Sequence, residues 1–341
     1  MEYRILSIIR NTPNTSSFVL EPIDQEINYV AGQFITLIFK NRNNEEERRS
    51  YSISSSPLLG EPLRITVKKI PNGIYSRRLV DHARPGDVLQ GLPPAGFFTL
   101  PEKVEAKQPF IFFAAGSGIT PVIAQIKTLL HLQQENEVVL VYSNRSMQDT
   151  IFHEELRALA VAYPRFLKIH FLFSDAKHFK EARLSAPIVS EITGKYFPHS
   201  LEKLQVYLCG PFQYMLMITL VLKGLGLKDE QIRKEQFEVH KPVINPKPPD
   251  MDPHIVYASV GGKTYQWSVQ YPETILQSAK RQQIELPYSC ESGQCGTCAA
   301  LCTSGEVWMF KNEVLMDDAI KQGKILTCTG YPVGGDVELR Y

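Results

Sequence analysis

The chain has almost no excess of charge of one sign, because 37 lysines and arginines face 36 aspartates and glutamates, a formal net charge of +1. This balance gives no general attraction to nucleic acid or to an anionic membrane, and we expect neither as a partner. Long apolar runs are also missing, since the most apolar stretch, residues 215–222, is far shorter than the ~20 residues that span a bilayer. The first residues lack the apolar core of a secretory signal. These absences predict a cytoplasmic protein without membrane insertion.

Cysteines are scarce in the first four fifths of the chain. Of six in total, Cys209 stands alone, and the other five lie between Cys290 and Cys328. Six cysteines are few for a disulfide scaffold of this length. In a reducing compartment, a local cluster of cysteines indicates metal binding and not disulfides.

Three segments with different patterns are present, as expected for a chain longer than one hydrophobic core usually supports. Residues 1–103 contain short β-rich runs, such as residues 34–39 and 63–68, which are broken by turn residues. This pattern is typical of a small antiparallel barrel or sandwich. In residues 104–240, apolar strands such as Phe110–Ala115 alternate with helical segments, which predicts an α/β domain with a parallel sheet.

A proline-rich segment, residues 241–252, follows the α/β segment. Four prolines lie within residues 241–250, so we expect a semi-rigid linker with polyproline II character. The remaining residues, 253–341, are numerous enough for a third domain.

The cysteines of this last segment carry the most specific motif. Cys290, Cys295 and Cys298 form the spacing C-x4-C-x2-C, and Cys328 follows downstream. This is the plant-type 2Fe–2S pattern. A structural zinc site is the alternative, but zinc sites usually pair two short cysteine knuckles, whereas Cys328 stands alone. The four cysteines are therefore the predicted cluster ligands. The segment resembles a plant-type ferredoxin, which implies an α+β domain with the β-grasp fold.

Two motifs in the β-rich segment carry the next expectation. Arg49-Ser50-Tyr51-Ser52 follows a strand, and Gly73 enters a helix whose free N–H groups can bind a phosphate. Together they resemble the flavin-binding half of the ferredoxin–NADP reductase superfamily, which implies an antiparallel β-barrel that binds FAD.

This resemblance also implies roles for individual residues. Tyr51 would lie against the isoalloxazine ring and Ser52 near its N5, which makes Ser52 a candidate catalytic residue. Arg49 would reach the pyrophosphate. The residues that it assigns to flavin binding are Arg49, Ser50, Tyr51, Ser52, Gly73 and Ser76.

The nicotinamide motifs lie in the α/β segment. The turn after the strand Phe110–Ala115 lacks the third glycine of the Rossmann fingerprint and matches the Gly-x-Gly-x-Thr-Pro turn of the same superfamily. Cys209-Gly210-Pro211 matches the second motif, in which the cysteine lies near flavin and nicotinamide. Cys209 is thus a candidate catalytic residue, although an ordinary buried thiol is the alternative. The implied nucleotide-binding residues are Gly116, Gly118, Thr120, Pro121, Gly210 and Pro211.

The choice of coenzyme depends on a few charged side chains. Arg145 follows the second strand of the α/β segment, where it can pair with a 2′-phosphate, and no acidic residue ends that strand. Arg183 is a second candidate. Asp175, after the third strand, opposes phosphate binding, so NADPH is favoured and NADH remains the alternative.

Glu235-Gln236-Phe237 ends the α/β segment. It resembles the Glu-x-Phe that ends this domain in related reductases, where the aromatic ring comes close to the flavin. Phe237 is therefore a third candidate catalytic residue. The alternative is a buried phenylalanine on the last strand of the core.

The resemblance covers the whole chain in the order flavin barrel, nicotinamide domain and ferredoxin domain. It implies an NAD(P)H-dependent oxidoreductase that passes electrons from NADPH through FAD and a 2Fe–2S cluster to a partner oxygenase. The order is most similar to reductases of the phenylacetyl-coenzyme A oxygenase type. Phthalate dioxygenase reductase shares it but uses FMN, which is the alternative flavin. A reductase for a desaturase or a separate redox carrier, and a redox-sensing binding module, are the alternative functions.

Overall fold

The computed structural model describes residues 1–23, 25–176, 182–238 and 245–341. The chain divides into two compact units, Met1–Phe237 and Glu238–Tyr341. The predicted linker, residues 241–252, falls partly on residues 239–244, which lie outside the described ranges. Within those ranges, no helix has the length and apolar character needed to cross a bilayer.

The first sheet is antiparallel, with the strand order β4-β3-β6-β1-β2-β5. Its strands are β1 (Glu2–Thr12), β2 (Thr15–Pro22), β3 (Phe34–Lys40), β4 (Glu46–Ser52), β5 (Arg64–Lys68) and β6 (Val88–Gly91), and helix α1 (Ile74–His82) accompanies them. A bridge between Ile53 and Ile65 connects the chain after β4 to β5, the strand at the other edge of the sheet. The sheet therefore curls on itself, as the predicted antiparallel barrel requires.

The second sheet is parallel, with the strand order β11-β10-β7-β8-β9. Its strands are β7 (Phe110–Ala115), β8 (Val138–Asn144), β9 (Leu167–Phe173), β10 (Gln205–Cys209) and β11 (Ile232–Glu235). Its helices are α2 (Ile119–His131), α3 (His153–Ala162), α4 (Ala186–Tyr196) and α5 (Phe212–Gly224). Single 3₁₀ turns also occur in this first unit, at Pro57–Leu59, Gly116–Gly118, Met147–Asp149, Leu201–Lys203 and Asp229–Gln231.

Strand β7 shows why the parallel sheet could be predicted from the sequence. Phe110 and Phe112 pack into one hydrophobic cluster, whereas Ile111 and Phe113 pack into another. Alternate side chains of a strand point to opposite faces, so a sheet covered on both faces needs a continuous apolar run. The predicted α/β domain with a parallel sheet is confirmed.

The register of the parallel sheet determines which residues meet at its carboxyl edge. Cys209 at the end of β10 is paired with Ala114 of β7 on one side and with Glu235 of β11 on the other. Ligands of open parallel sheets bind outside the carboxyl ends of the strands. The segments that follow these strands therefore lie where a nucleotide is expected.

The third sheet, in the second unit, is mixed, with the order β13-β12-β16-β14-β15. Its strands are β12 (His254–Val260), β13 (Lys263–Val269), β14 (Ala299–Met309), β15 (Lys324–Leu326) and β16 (Gly330–Arg340), with helices α6 (Ile275–Arg281) and α7 (Asp317–Lys321). Strands β12 and β16 are parallel, and the other neighbours are antiparallel. Helix α6 buries Ile275 and Leu276, and the first three predicted ligand cysteines lie on the loop between α6 and β14. This is the predicted α+β domain.

Candidate functional site

Strand β4 presents the predicted flavin-binding side chains. The guanidinium of Arg49 lies 5.1 Å from the ring centre of Tyr75, which belongs to the first turn of α1. Ser50 shares a 2.9 Å hydrogen bond with Thr36 on the neighbouring strand. Tyr51 is half-buried, and burial raises the pKa of its phenol. The structure thus brings Arg49 beside the beginning of α1, where the phosphate-binding turn is predicted.

The turn before α1 is shaped by Gly73 and Ser76. The Ser76 hydroxyl accepts a hydrogen bond from the Ile70 N–H at 3.2 Å. A Cβ at Gly73 would lie 2.5 Å from the Ser76 Oγ, so a larger residue would displace this hydroxyl. No side chain caps the amino terminus of α1. Its first N–H groups therefore fit a phosphate ligand.

The two nicotinamide motifs pack directly on each other. A Cβ at Gly118 would lie 2.0 Å from the carbonyl oxygen of Cys209, and one at Gly210 would lie 3.0 Å from the Cβ of Ala115. Gly116 has a φ of +54°, a conformation that favours glycine. Both motifs thus depend on glycine for a close backbone approach or a left-handed turn.

The helices that follow these motifs begin at the same edge of the sheet. The Thr120 hydroxyl donates to the Ser117 carbonyl at 3.0 Å, and Pro121 is buried in the first turn of α2. Pro211 precedes α5, and its carbonyl accepts from the Met215 N–H at 3.1 Å. Neither helix has a side-chain cap. At α2 the Ile119 N–H is bonded to carbonyls of the preceding 3₁₀ turn, whereas the first N–H groups of α5 are available for a pyrophosphate.

Three polar side chains meet where the barrel contacts the parallel sheet. The Ser52 hydroxyl donates to Glu235 Oε1 at 2.9 Å, which links β4 to β11. Burial raises the pKa of Glu235 to about 8, so this carboxyl group holds its proton at neutral pH. Cys209 is fully buried, and the pKa of its thiol is raised by burial and further by the neighbouring Glu235.

Two residues of this region had no assigned role from the sequence. Glu235 was visible only as part of the Glu-x-Phe ending. Lys68 ends β5, and its Nζ lies 3.6 Å from the position that a Cβ would take at Gly116. An ammonium group at this turn suits an anionic nucleotide. The sequence signal for Lys68 is a lysine at the end of β5, the strand that precedes the predicted phosphate-binding turn at Gly73.

Arg145 is exposed directly after β8. Its carbonyl accepts a hydrogen bond from the Asp175 N–H at 3.1 Å, so the segments after β8 and β9 are adjacent. Arg183 is also exposed. Phe237 is 45% exposed and lies beyond the end of β11. The alternative interpretation of Phe237 as a buried residue on the last core strand is therefore wrong.

The predicted ligand cysteines lie close to one another. Cys290, Cys298 and Cys328 are buried, and Cys295 is half-buried. Hydrogen bonds from the Cys295 and Cys328 thiols lower the pKa of Cys290. The same hydrogen bonds raise the pKa of Cys295 and Cys328, so these thiols interact as one group.

The arrangement of these thiols bears on the zinc alternative. Within the described residues, no three His, Cys, Asp or Glu side chains surround a point at which a single ion could lie. A structural zinc needs four ligands around one ion, whereas a 2Fe–2S cluster distributes four thiolates over two irons. The four soft thiol donors and their spacing in the sequence fit the binuclear cluster.

The loop between Cys290 and Cys298 is held by neighbouring backbone. Gly293 has a φ of +74°, and a Cβ there would lie 2.7 Å from the Lys311 carbonyl oxygen. The Glu313 N–H donates to the Gly293 carbonyl at 2.9 Å. Cys302 has different surroundings, since its sulfur lies 3.3 Å from the Ser304 carbonyl oxygen.

Comparison with protein families accounts for each sheet of the structure. A family model described as an oxidoreductase FAD-binding domain matches residues 5–99. A second, described as an oxidoreductase NAD-binding domain, matches residues 112–219. A third, described as a 2Fe–2S iron–sulfur cluster binding domain, matches residues 259–333. These matches support FAD, a nicotinamide cosubstrate and a 2Fe–2S cluster, as predicted.

Relatives match the chain from end to end. The ferredoxin reductase component of 3-ketosteroid-9-alpha-monooxygenase from Rhodococcus rhodochrous is 31% identical over 348 residues, which cover 99% of this chain and 95% of the relative. A subunit of the 1,2-phenylacetyl-CoA epoxidase from Escherichia coli K12 is 30% identical over 342 residues, covering 98% and 94%. The solved structure of phthalate dioxygenase reductase shares the fold, with a TM-score of 0.59, 24% identity and coverage of 100% of this chain and 98% of that one. The chain therefore belongs to the ferredoxin–NADP reductase family of flavoproteins with a carboxy-terminal 2Fe–2S domain, and it is an NAD(P)H-dependent oxidoreductase of the kind that serves as the reductase component of an oxygenase.

Proposed function

We propose that this reductase takes hydride from NADPH onto FAD beside Ser52 and delivers electrons through its 2Fe–2S cluster to an oxygenase of the phenylacetyl-coenzyme A oxygenase type. The observation that carries the proposal is the 2.9 Å hydrogen bond between Ser52 and Glu235. Hydride transfer requires the nicotinamide and flavin rings to be in contact, and this bond joins the two domains that bind them. The flavin, when bound, converts a two-electron donor into a source of single electrons.

Individual residues have the following proposed roles. Tyr51 supports the flavin ring by stacking, and Arg49 pairs with the pyrophosphate beside the amino terminus of α1. Ser52 holds a proton near the site of hydride arrival, and the Glu235 carboxyl group accepts its hydrogen bond. Cys209 packs beneath the nicotinamide site. Phe237 is exposed, as a residue that covers the outer face of a bound ring would be.

The proposal includes the domain boundaries. Residues 1–103 form the FAD domain, 104–240 the nicotinamide domain, 241–252 the linker and 253–341 the ferredoxin domain. The family matches to residues 5–99, 112–219 and 259–333 fall within these limits, which supports them. A cytoplasmic location belongs to the proposal as well, because none of the six cysteines forms a disulfide, as expected in a reducing compartment.

The identity of the acceptor is tested by reconstitution. We expect NADPH-dependent product formation when the reductase is combined with the oxygenase component of a phenylacetyl-coenzyme A epoxidase, with product matching NADPH consumed. The matched control is the oxygenase component of a ketosteroid monooxygenase, with which consumption should remain uncoupled from product. Coupled turnover with the control alone, or specific capture of a desaturase as the electron acceptor, would contradict this proposal.

The coenzyme preference is tested at Arg145. If its guanidinium pairs with the 2′-phosphate of NADPH, Arg145→Ala should lower the ratio of kcat/KM for NADPH to that for NADH by about tenfold or more, because charge-assisted hydrogen bonds contribute ~1.5–3 kcal/mol. Steady-state kinetics with both coenzymes measure this ratio. Arg183→Ala is the matched comparison and should leave it nearly unchanged. Equal kcat/KM values for NADPH and NADH in the wild type would remove the basis of the assignment.

A further inference from the structure

We propose that Lys127 is a positioning residue for hydride transfer, which fixes the nucleotide-binding domain against the flavin-binding domain through ion pairs between its buried ammonium group and two half-buried carboxylates. The proposal rests on the reductase reaction, and it does not depend on which oxygenase accepts the electrons. It concerns one group of charged side chains, the Lys127 cluster, which consists of Glu61, Arg64, Lys127 and Glu155.

Lys127 is the centre of this cluster. It lies on α2, and only 3% of its side chain is exposed. Its Nζ lies 2.7 Å from both carboxylate oxygens of Glu61 and 3.1 Å from Glu155 Oε1. Glu61 belongs to the loop before β5 in the flavin-binding domain, whereas Glu155 belongs to α3 in the nucleotide-binding domain. A single ammonium group therefore connects the two domains.

Arg64 on β5 makes a second connection in the same place. Its Nη2 lies 3.3 Å from Glu155 Oε1, and its guanidinium lies 5.2 Å from the ring centre of Phe152. Glu155 thus receives one cation from each domain.

Neighbouring polar groups add to the contact. The Ser56 hydroxyl, in the flavin-binding domain, lies 2.7 Å from the hydroxyl of Thr128, which follows Lys127 on α2. The Ser56 N–H donates to Glu61 Oε2 at 2.7 Å. The Ser56 N–H therefore helps to hold the Glu61 carboxylate in the position in which it pairs with the Lys127 ammonium group.

The energetics of burial indicate what this cluster does. A buried ammonium group is costly unless it is paired, and a buried ion pair adds little net stability compared with apolar packing. Its effect is on geometry, because each carboxylate accepts the ammonium group only in a narrow range of positions. The helix that carries Lys127 also begins at the Gly116–Gly118 turn of the nicotinamide site. Fixing α2 against the barrel therefore fixes that turn relative to the flavin.

The primary test is Lys127→Met, which keeps an unbranched side chain, one atom shorter, and removes its charge. We expect the rate constant of flavin reduction, measured by stopped flow at saturating NADPH, to fall about tenfold, since a displacement near 1 Å can cost about 100-fold. FAD content and the Kd for NADP⁺ should stay within about twofold of the wild type, because the residues that hold each ligand are unchanged. Flavin reduction is observed without any oxygenase, so failure here is distinct from failure of the proposed acceptor.

A covalent rescue separates positioning from a general loss of stability. Ser56→Cys and Thr128→Cys replace hydroxyls 2.7 Å apart with sulfurs that can form a disulfide across the same contact. In the Lys127→Met background, the oxidised protein should recover most of the reduction rate. The same protein treated with dithiothreitol is the matched control and should remain slow. Mass spectrometry of the peptides verifies the crosslink.

The proposal is overturned if folded Lys127→Met protein reduces its flavin at the wild-type rate, or if the verified disulfide gives no recovery. Should Lys127→Met fail to fold, Glu155→Gln takes its place, because it removes one charged partner and keeps the shape of the side chain. It should slow flavin reduction by about threefold with the Kd for NADP⁺ unchanged. A wild-type rate in that variant would equally overturn the proposal.

Discussion

Cys295→Ser should abolish most cytochrome c reduction while leaving ferricyanide reduction close to the wild-type rate. A hydroxyl is a poor ligand for iron compared with a soft thiolate, so the 2Fe–2S cluster should be lost or severely destabilised. The flavin and nicotinamide motifs all lie within Met1–Phe237, whereas the four predicted ligand cysteines lie within Glu238–Tyr341. Ferricyanide is small and can collect electrons at the flavin. Both activities are measured on samples with a full complement of FAD.

The matched control for this substitution is Cys302→Ser. The Cys302 sulfur contacts the carbonyl of Ser304 and lies outside the ligand spacing. The Cys302→Ser protein should therefore retain its 2Fe–2S cluster, as measured by visible absorbance and iron content. If the Cys295→Ser protein reduces cytochrome c at the wild-type rate without a cluster, electrons leave from the flavin and the order of carriers is wrong.

Ser52→Ala should lower the rate constant of flavin reduction by about 100-fold, the loss typical of removing one preorganised hydrogen-bond donor from an active site. The substitution removes the hydroxyl that joins β4 to the Glu235 carboxyl group. Ser54→Ala is the matched control, because its hydroxyl bonds to Thr66 inside the barrel. Stopped-flow measurements at saturating NADPH give the rate constant. A rate reduced equally in both variants would point to damage of the barrel instead.

The pH dependence of flavin reduction gives an independent test of Glu235. Its pKa of about 8 means that the carboxyl group is neutral below that pH and ionised above it. An ionised Glu235 puts a negative charge beside the proposed site of hydride transfer, which opposes the transfer. We therefore expect the rate to fall as pH rises through about 8. Glu235→Gln cannot ionise, so its profile should be flat across this range, and a wild-type inflection that survives in this variant would exclude Glu235.

Much of the fold was accessible from the sequence because its signals are local. The apolar run Phe110–Ala115 was predicted as a strand with the bounds that the structure gives, since burial on both faces leaves no polar position in it. The start of the next helix has no such signal: α2 begins at Ile119, because the 3₁₀ turn Gly116–Gly118 runs directly into it. Sequence patterns show which residues are apolar, and they do not show where the first hydrogen bond forms.

A site can be predicted from the sequence most directly where one motif carries most of its parts. The spacing of Cys290, Cys295 and Cys298 specifies the cluster loop by itself. The bond between Ser52 and Glu235 joins residues 183 positions apart, and no local pattern encodes it. Lys127 is a similar case, since a lysine in a helix is ordinarily solvated, and only the packing of two domains buries it. Contacts between distant segments depend on the assembled structure and not on the residues beside them.

The close packing of Gly118 on Cys209 also constrains how this protein can change. Any side chain at residue 118 would overlap the backbone after β10, so a substitution there becomes tolerable only if the second motif shifts at the same time. Gly194 and Gly224, by contrast, have open space where a Cβ would lie. A single substitution at Gly118 therefore meets a steric clash, whereas one at Gly194 or Gly224 does not. The residues after β8 and β9 that are proposed to set the coenzyme preference are exposed, so they can be substituted one at a time without disturbing this packing.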